Sequence, residues 1–80
     1  MTAPIVLHSW RVHTFTSQRS GRRRALVEGV RPDGETIRSS VFIAVDGDVV
    51  TTHSGGRYRL VPAPRKPLVE EYVFDLWVAP

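Results

Sequence analysis

Apolar residues alternate with polar ones along most of this chain, and the alternation is broken at short intervals by glycine. From residue 41 to residue 61 the pattern reads as two β-hairpins in succession. Val41-Phe42-Ile43-Ala44-Val45 is an apolar, β-rich run that meets Asp46-Gly47. The chain continues through Val49-Val50-Thr51-Thr52, meets Ser54-Gly55-Gly56 and returns as Tyr58-Arg59-Leu60-Val61. Asp-Gly and Gly-Gly between such runs are strong hairpin signals, because tight primed turns need a positive φ that glycine supplies without steric cost.

The first strand is predicted over Ile5 to Thr16. Strict alternation puts Val6, His8, Trp10, Val12 and Thr14 on one side and Leu7, Ser9, Arg11, His13 and Phe15 on the other. The Trp10 side, with Val6 and Val12, is the expected core face, since the opposite side carries Arg11 in mid-strand. Ser17 to Arg22, with Ser20-Gly21 as turn signal, closes a hairpin onto a strand from Arg23 to Val30. Its inward set is either Ala25, Val27 and Gly29 or Leu26 and Val30. Pro32-Asp33-Gly34 makes the next turn. Glu35 to Ser39 continues as a strand that can join Val41 to Val45 through a bend at Ser39-Ser40.

The expected fold is therefore mainly β: a five-stranded antiparallel meander closed into a small barrel, with a short C-terminal helix. Strands linked by short turns about every ten residues suit an SH3-like or OB-like barrel. The SH3-like form is preferred because every connection is short. Beyond Val61 the character changes. Pro62-Ala63-Pro64-Arg65-Lys66-Pro67 is an extended connector. Leu68 to Ala79 follows as a packing segment, read as a helix in preference to a strand, with Pro67 at its first position and Glu70 and Glu71 in its first turn. In that helix Phe74 falls outside the core-facing arc and is expected at the surface.

Length and charge narrow the picture. Eighty residues make one domain, which buries roughly 60% of its unfolded surface. The chain contains no cysteine, so neither disulfides nor thiolate metal sites brace it. No apolar stretch approaches the roughly 18 residues that span a bilayer, and the first residues lack the charge pattern of a cleaved signal. A cytoplasmic protein without a membrane role is expected. Ten arginines stand against one lysine, Lys66. The first forty residues carry seven arginines and three acids, a surplus of four. The last forty carry four basic and five acidic residues, a deficit of one. Arg19, Arg22, Arg23 and Arg24 concentrate the surplus in one loop, and the guanidinium fork suits carboxylates and phosphates.

Candidate catalytic chemistry is thin. His8 and His13 are five apart on a strand and so point to opposite faces. No carboxylate or thiolate stands at metal-ligand spacing, and no cofactor is expected. His53 and Ser54 are neighbours that diverge, whereas a nucleophile needs its base within hydrogen-bond reach. Asp46 and Asp48 flank a turn glycine, and Gly55-Gly56 lacks the lysine and following helix of a phosphate loop. The chain is not expected to be an enzyme. Binding remains, in two forms. A protein partner would be met by Arg19, Arg22, Arg23 and Arg24, together with Arg57 and Arg59 on one strand face and Phe74, since Arg and aromatic residues dominate interface energetics. Nucleic acid is the alternative, with the same arginines tracking phosphates. An unpaired terminal strand could also support a homodimer by strand addition.

Val49 to Leu60, preceded by Pro32-Asp33-Gly34, resembles short β-meander proteins of bacteria and phages. These share a V-x-T-x-S-G-x-x-Y-x-L hairpin, matched here by Val50, Thr52, Ser54, Gly55, Tyr58 and Leu60. The likeness implies no catalytic residue. In size, charge and lack of a catalytic constellation the chain is also similar to phage-encoded inhibitors of host defence such as anti-CRISPR proteins. That similarity of type implies an inhibitor that covers a surface on a nucleoprotein complex.

Overall fold

Asp46 pairs with Val49 across a two-residue loop, and the first loop residue, Gly47, has φ 60°. That is where the tight hairpin turn demands glycine. The computed structural model describes residues 3–78 and contains six strands: β1 (Ile5–Thr16), β2 (Arg23–Val30), β3 (Thr36–Arg38), β4 (Phe42–Asp46), β5 (Val49–Thr52) and β6 (Arg57–Val61). One helical turn, α1 (Leu68–Glu71), follows. The strands form a single sheet in the order β3-β2-β1-β6-β5-β4.

This corrects the expected five-stranded antiparallel meander: the sheet has six strands, is mixed, and is open at β3 and β4. Two local causes account for the difference. Ser39 N–H donates to the Val27 carbonyl at 2.8 Å, and the Ser39 hydroxyl accepts from Val27 N–H at 3.0 Å. A side-chain oxygen thus stands in for the next ladder acceptor, which ends β3 and lets the chain bend away to β4. The bend reverses nothing, whereas the four hairpin turns each do. The last strand therefore returns in the direction of the first, and β6 meets β1 in parallel, from Ile5 opposite Tyr58 to His8 opposite Val61.

The connectivity also forces the sheet to curl. Laid flat, six strands at about 4.8 Å spacing would put β3 and β4 roughly 24 Å apart. Ser39, Ser40 and Val41 allow about 14 Å between Arg38 and Phe42. Inside the curl lie Leu7, Ala25, Val27, Phe42, Val50 and Leu60, with Leu68 and Phe74 from the C-terminal segment.

On β1 the expected core face holds for only half of the strand. Leu7 is fully buried, whereas Val6 is half-buried and His8 exposed. Between His8 and Arg11 the register against β2 slips by one residue, with Ser9 at φ 48°. Such a bulge swaps the faces, so Trp10, Val12 and Thr14 turn toward the core beyond it. On β2 the inward set is Ala25, Val27 and Gly29. A Cβ on Gly29 would sit 3.1 Å from Leu7 Cβ and 3.2 Å from the His8 carbonyl oxygen, so the missing side chain is what lets β1 come close.

The helix expected from Leu68 onward is confined to Leu68–Glu71. Val73 adopts φ 50°, a conformation no helix continues through, and the chain runs on irregularly to residue 78. The turn at Val73 corrects the surface placement of Phe74. Its ring is 8% exposed and meets Phe42 edge-on at 5.6 Å. The expected end of this segment at Ala79 lies outside the described residues. Among these, no helix is long and apolar enough to cross a membrane.

Candidate interaction surface

The turn between β1 and β2 is built from its own polar groups. Ser17 N–H donates to the Arg22 carbonyl and Gly21 N–H to the Ser17 carbonyl, each at 2.8 Å. The Ser20 hydroxyl accepts from Arg22 N–H at 3.2 Å. With the backbone closed on itself, Arg19 and Arg22 extend into solvent. Neither takes part in an ion pair among the described residues. No acid stands between residues 17 and 24, so the loop's own charge is wholly positive.

The two arginines that begin β2 part company. Arg23 stays exposed, its Nη2 donating to Thr14 Oγ1 on β1 at 2.6 Å. Arg24 is 9% exposed. Its Nη1 donates to the Leu76 carbonyl at 2.6 Å and to the Asp75 carbonyl at 3.4 Å. The segment carrying those carbonyls lies along the part of β2 that β3 does not reach. Asp75 N–H donates to the Arg23 carbonyl at 2.8 Å, and Trp77 N–H reaches the Phe42 carbonyl at 2.9 Å. Arg24, expected in the contact surface, is thus a structural brace between β2 and the C-terminal segment.

Beside that brace is a cleft of about 520 Å³ lined by Phe15, Arg19, Arg24, Val41, Trp77 and Val78. It joins two expected contact residues, Arg19 and the braced Arg24, to two aromatics outside the expected contact set. Phe15 is 42% exposed. Beyond the bulge it falls on the outward face, and its place just ahead of the arginine loop was the available signal. Trp77 is held at the rim by its backbone bond to Phe42 and by the His53 ring, 4.2 Å away and edge-on.

Arg57 and Arg59 line no part of this cleft. They sit on β6 opposite Thr51 and Val49. Both are exposed, with Tyr58 turned to the core side between them. Arg59 Nη1 is matched by the Asp48 carboxylate at 3.1 and 3.4 Å. The surface expected from the sequence therefore divides: Arg19, Arg22 and Arg23 at the hairpin, Arg57 and Arg59 on β6, and Arg24 and Phe74 in the interior.

Ser54 Oγ lies 3.0 Å from Ser40 Oγ, while the adjacent His53 ring meets Trp77 edge-on. Among the described residues no group of three or more His, Asp or Glu side chains is placed to hold a metal ion. What the hairpin offers is recognition: guanidinium forks for carboxylate or phosphate oxygens beside apolar rings that can seat a side chain. No family model matches the chain, and no curated protein or solved structure matches it either.

Proposed function

We propose that this chain is a non-enzymatic binding module that docks on an acidic protein surface through the β1–β2 hairpin. The observation that carries this reading is the cleft in which Arg19 stands beside Phe15 and Trp77, with Arg22 and Arg23 exposed next to it. Aromatic anchors next to unpaired arginines are the composition of interface hot spots. The rest of the fold serves as a rigid support for that tip, and we read its curled sheet as an SH3-like small barrel. The support for that is topological: β3 and β4 run in the same sense, three residues apart, as one bent strand would.

Nucleic acid is the second reading, favoured by the exposed Phe15 ring, on which a base could stack. Charge argues for protein first. With Arg24 engaged internally, the hairpin has about three guanidinium groups for phosphates, which corresponds to a shallow salt dependence with a slope of about −2 to −3. Within the protein-contact reading, an inhibitor that covers part of a cytoplasmic nucleoprotein complex of host defence suits the chain's size and charge.

The test compares the unaltered protein with R19A/R22A, which spares the Arg24 brace, as baits in affinity capture from cells of the encoding organism. A protein retained by the first and lost by the second supports the reading. Equal retention by both would remove the hairpin from it. Titration with single- and double-stranded DNA and RNA separates the classes, since nanomolar binding with a steep salt slope would transfer the function to nucleic acid.

A further inference from the structure

A second cleft, remote in sequence from the arginine hairpin, lies under the proline-rich connector. Its volume is about 580 Å³, and its walls include Val45, Pro64, Pro67, Leu68, Val69 and Leu76. That volume lies within the range of small-molecule sites, which are mostly apolar with a few placed polar groups.

Two long-range hydrogen bonds and one buried side chain hold its walls in place. The Trp10 indole Nε1 donates to the Pro62 carbonyl at 2.8 Å, pinning the start of the connector to β1. Leu68, at the connector's far end, is 1% exposed in the core. Leu76 on the opposite wall is held by its carbonyl, which accepts the 2.6 Å bond from Arg24. Walls fixed in this way lose little freedom when a ligand enters.

The charge at the mouth has one sign. Arg65 and Lys66 line the cleft, are exposed, and form no ion pair among the described residues. The single carboxylate in the lining, Asp48, is already matched by Arg59 at 3.1 Å. Glu70 and Glu71 on α1 are exposed and do not line the cleft.

We infer that this cleft is a binding site for a small amphipathic anion, with an apolar body against Leu68, Val69 and Leu76 and a carboxylate or phosphate head between Arg65 and Lys66. This cleft shares no lining residue with the one beside the hairpin, so a ligand here can coexist with a protein partner there.

Decanoate is a suitable probe, titrated below micelle formation and followed by methyl NMR of the intact chain. Saturable shifts are expected at the methyls of Val45, Leu68, Val69 and Leu76, with the hairpin resonances unmoved. In R65E/K66E, whose changes are confined to exposed side chains, affinity should fall by about tenfold or more while the rest of the spectrum stays in place. Decyltrimethylammonium, with the same tail and the opposite charge, should not saturate the site. No shift at these methyls, equal affinity for the cation, or an unchanged constant in R65E/K66E would each overturn the assignment. Sedimentation with phosphatidylglycerol vesicles in the absence of any decanoate response would also overturn it, pointing to a membrane surface instead.

Discussion

The double hairpin of residues 41 to 61 and the segment from 62 to 78 are held by different physics. In the first, neighbours in sequence are neighbours in space: β4 pairs with β5, β5 with β6, and the second turn is closed by Thr52 and Gly56 bonding across it. In the second, almost nothing is local. A single helical turn is its only regular element. Its position rests on Trp10 to Pro62, Arg24 to Leu76, Arg23 to Asp75 and Phe42 to Trp77, contacts that bridge from 35 to 52 residues. The hairpins therefore supply a surface and the C-terminal segment is a strap docked on it. Both clefts lie against that strap, so binding is built where structure depends on distant contacts.

The largest test of this division is at the buried phenylalanine pair, Phe42 and Phe74, that joins the two regions. Phe42→Ala empties a fully buried site on β4 and should cost about 3 to 5 kcal/mol, unfolding the strap and the sheet together. Phe74→Ala removes the other ring of the pair, and its direct cost is of the same order, about 3 kcal/mol. Its outcome differs in kind, because the strap can come off while the hairpins stay paired. Denaturant unfolding followed by hydrogen exchange distinguishes them. In Phe74→Ala the Asp75 and Trp77 amides should lose protection well before those of Thr52 and Leu60. Simultaneous loss would mean that strap and sheet form one cooperative unit.

The same division explains what could be read in advance. Each predicted turn, at Ser20-Gly21, Pro32-Asp33-Gly34, Asp46-Gly47 and Ser54-Gly55-Gly56, is a turn in the structure, because a turn is decided by about four adjacent residues. The bulge at Ser9 carries no such marker, as neither glycine nor proline is near it, and so Leu7 rather than Trp10 takes the innermost place on β1. The parallel β1–β6 pair follows from counting reversals, which is possible only once the Ser39 bend is known to reverse nothing. Arg24 is the most instructive case. It stands in a run of three arginines that looks uniform, and what separates it from Arg22 and Arg23 is a pair of carbonyls some fifty residues away. Phe15 and Arg19 likewise share a cleft with Trp77, which lies far along the chain from both.

Arg24→Met is the next test in size. It keeps the stem and deletes the donors, leaving the Leu76 and Asp75 carbonyls without their charged partner. Such a loss costs about 2 kcal/mol, expressed first as exchange of the strap amides. By contrast, Arg22→Ala, two residues earlier in the loop and equally basic, should change stability by less than about 0.5 kcal/mol. If the two variants proved equally stable, the brace would have no energetic meaning, and Arg24 would return to the surface with its neighbours.

The smallest effect is expected from Gly47→Ala, and its value lies in where the loss appears. Nothing lies within 4 Å of the position a Cβ would take, so no collision is introduced. The cost comes from holding a side-chain-bearing residue at φ 60°, about 1 kcal/mol. Because β4 and β5 carry Phe42 and Val50 into the core, this penalty should lower the stability of the whole sheet. Protection of the Leu60 and Val27 amides should then fall together and by the same amount, whereas that of Trp77, set by undocking of the strap, should change less. A loss confined to the β4–β5 hairpin would show instead that this hairpin opens by itself, making it, like the strap, a docked element rather than part of the support.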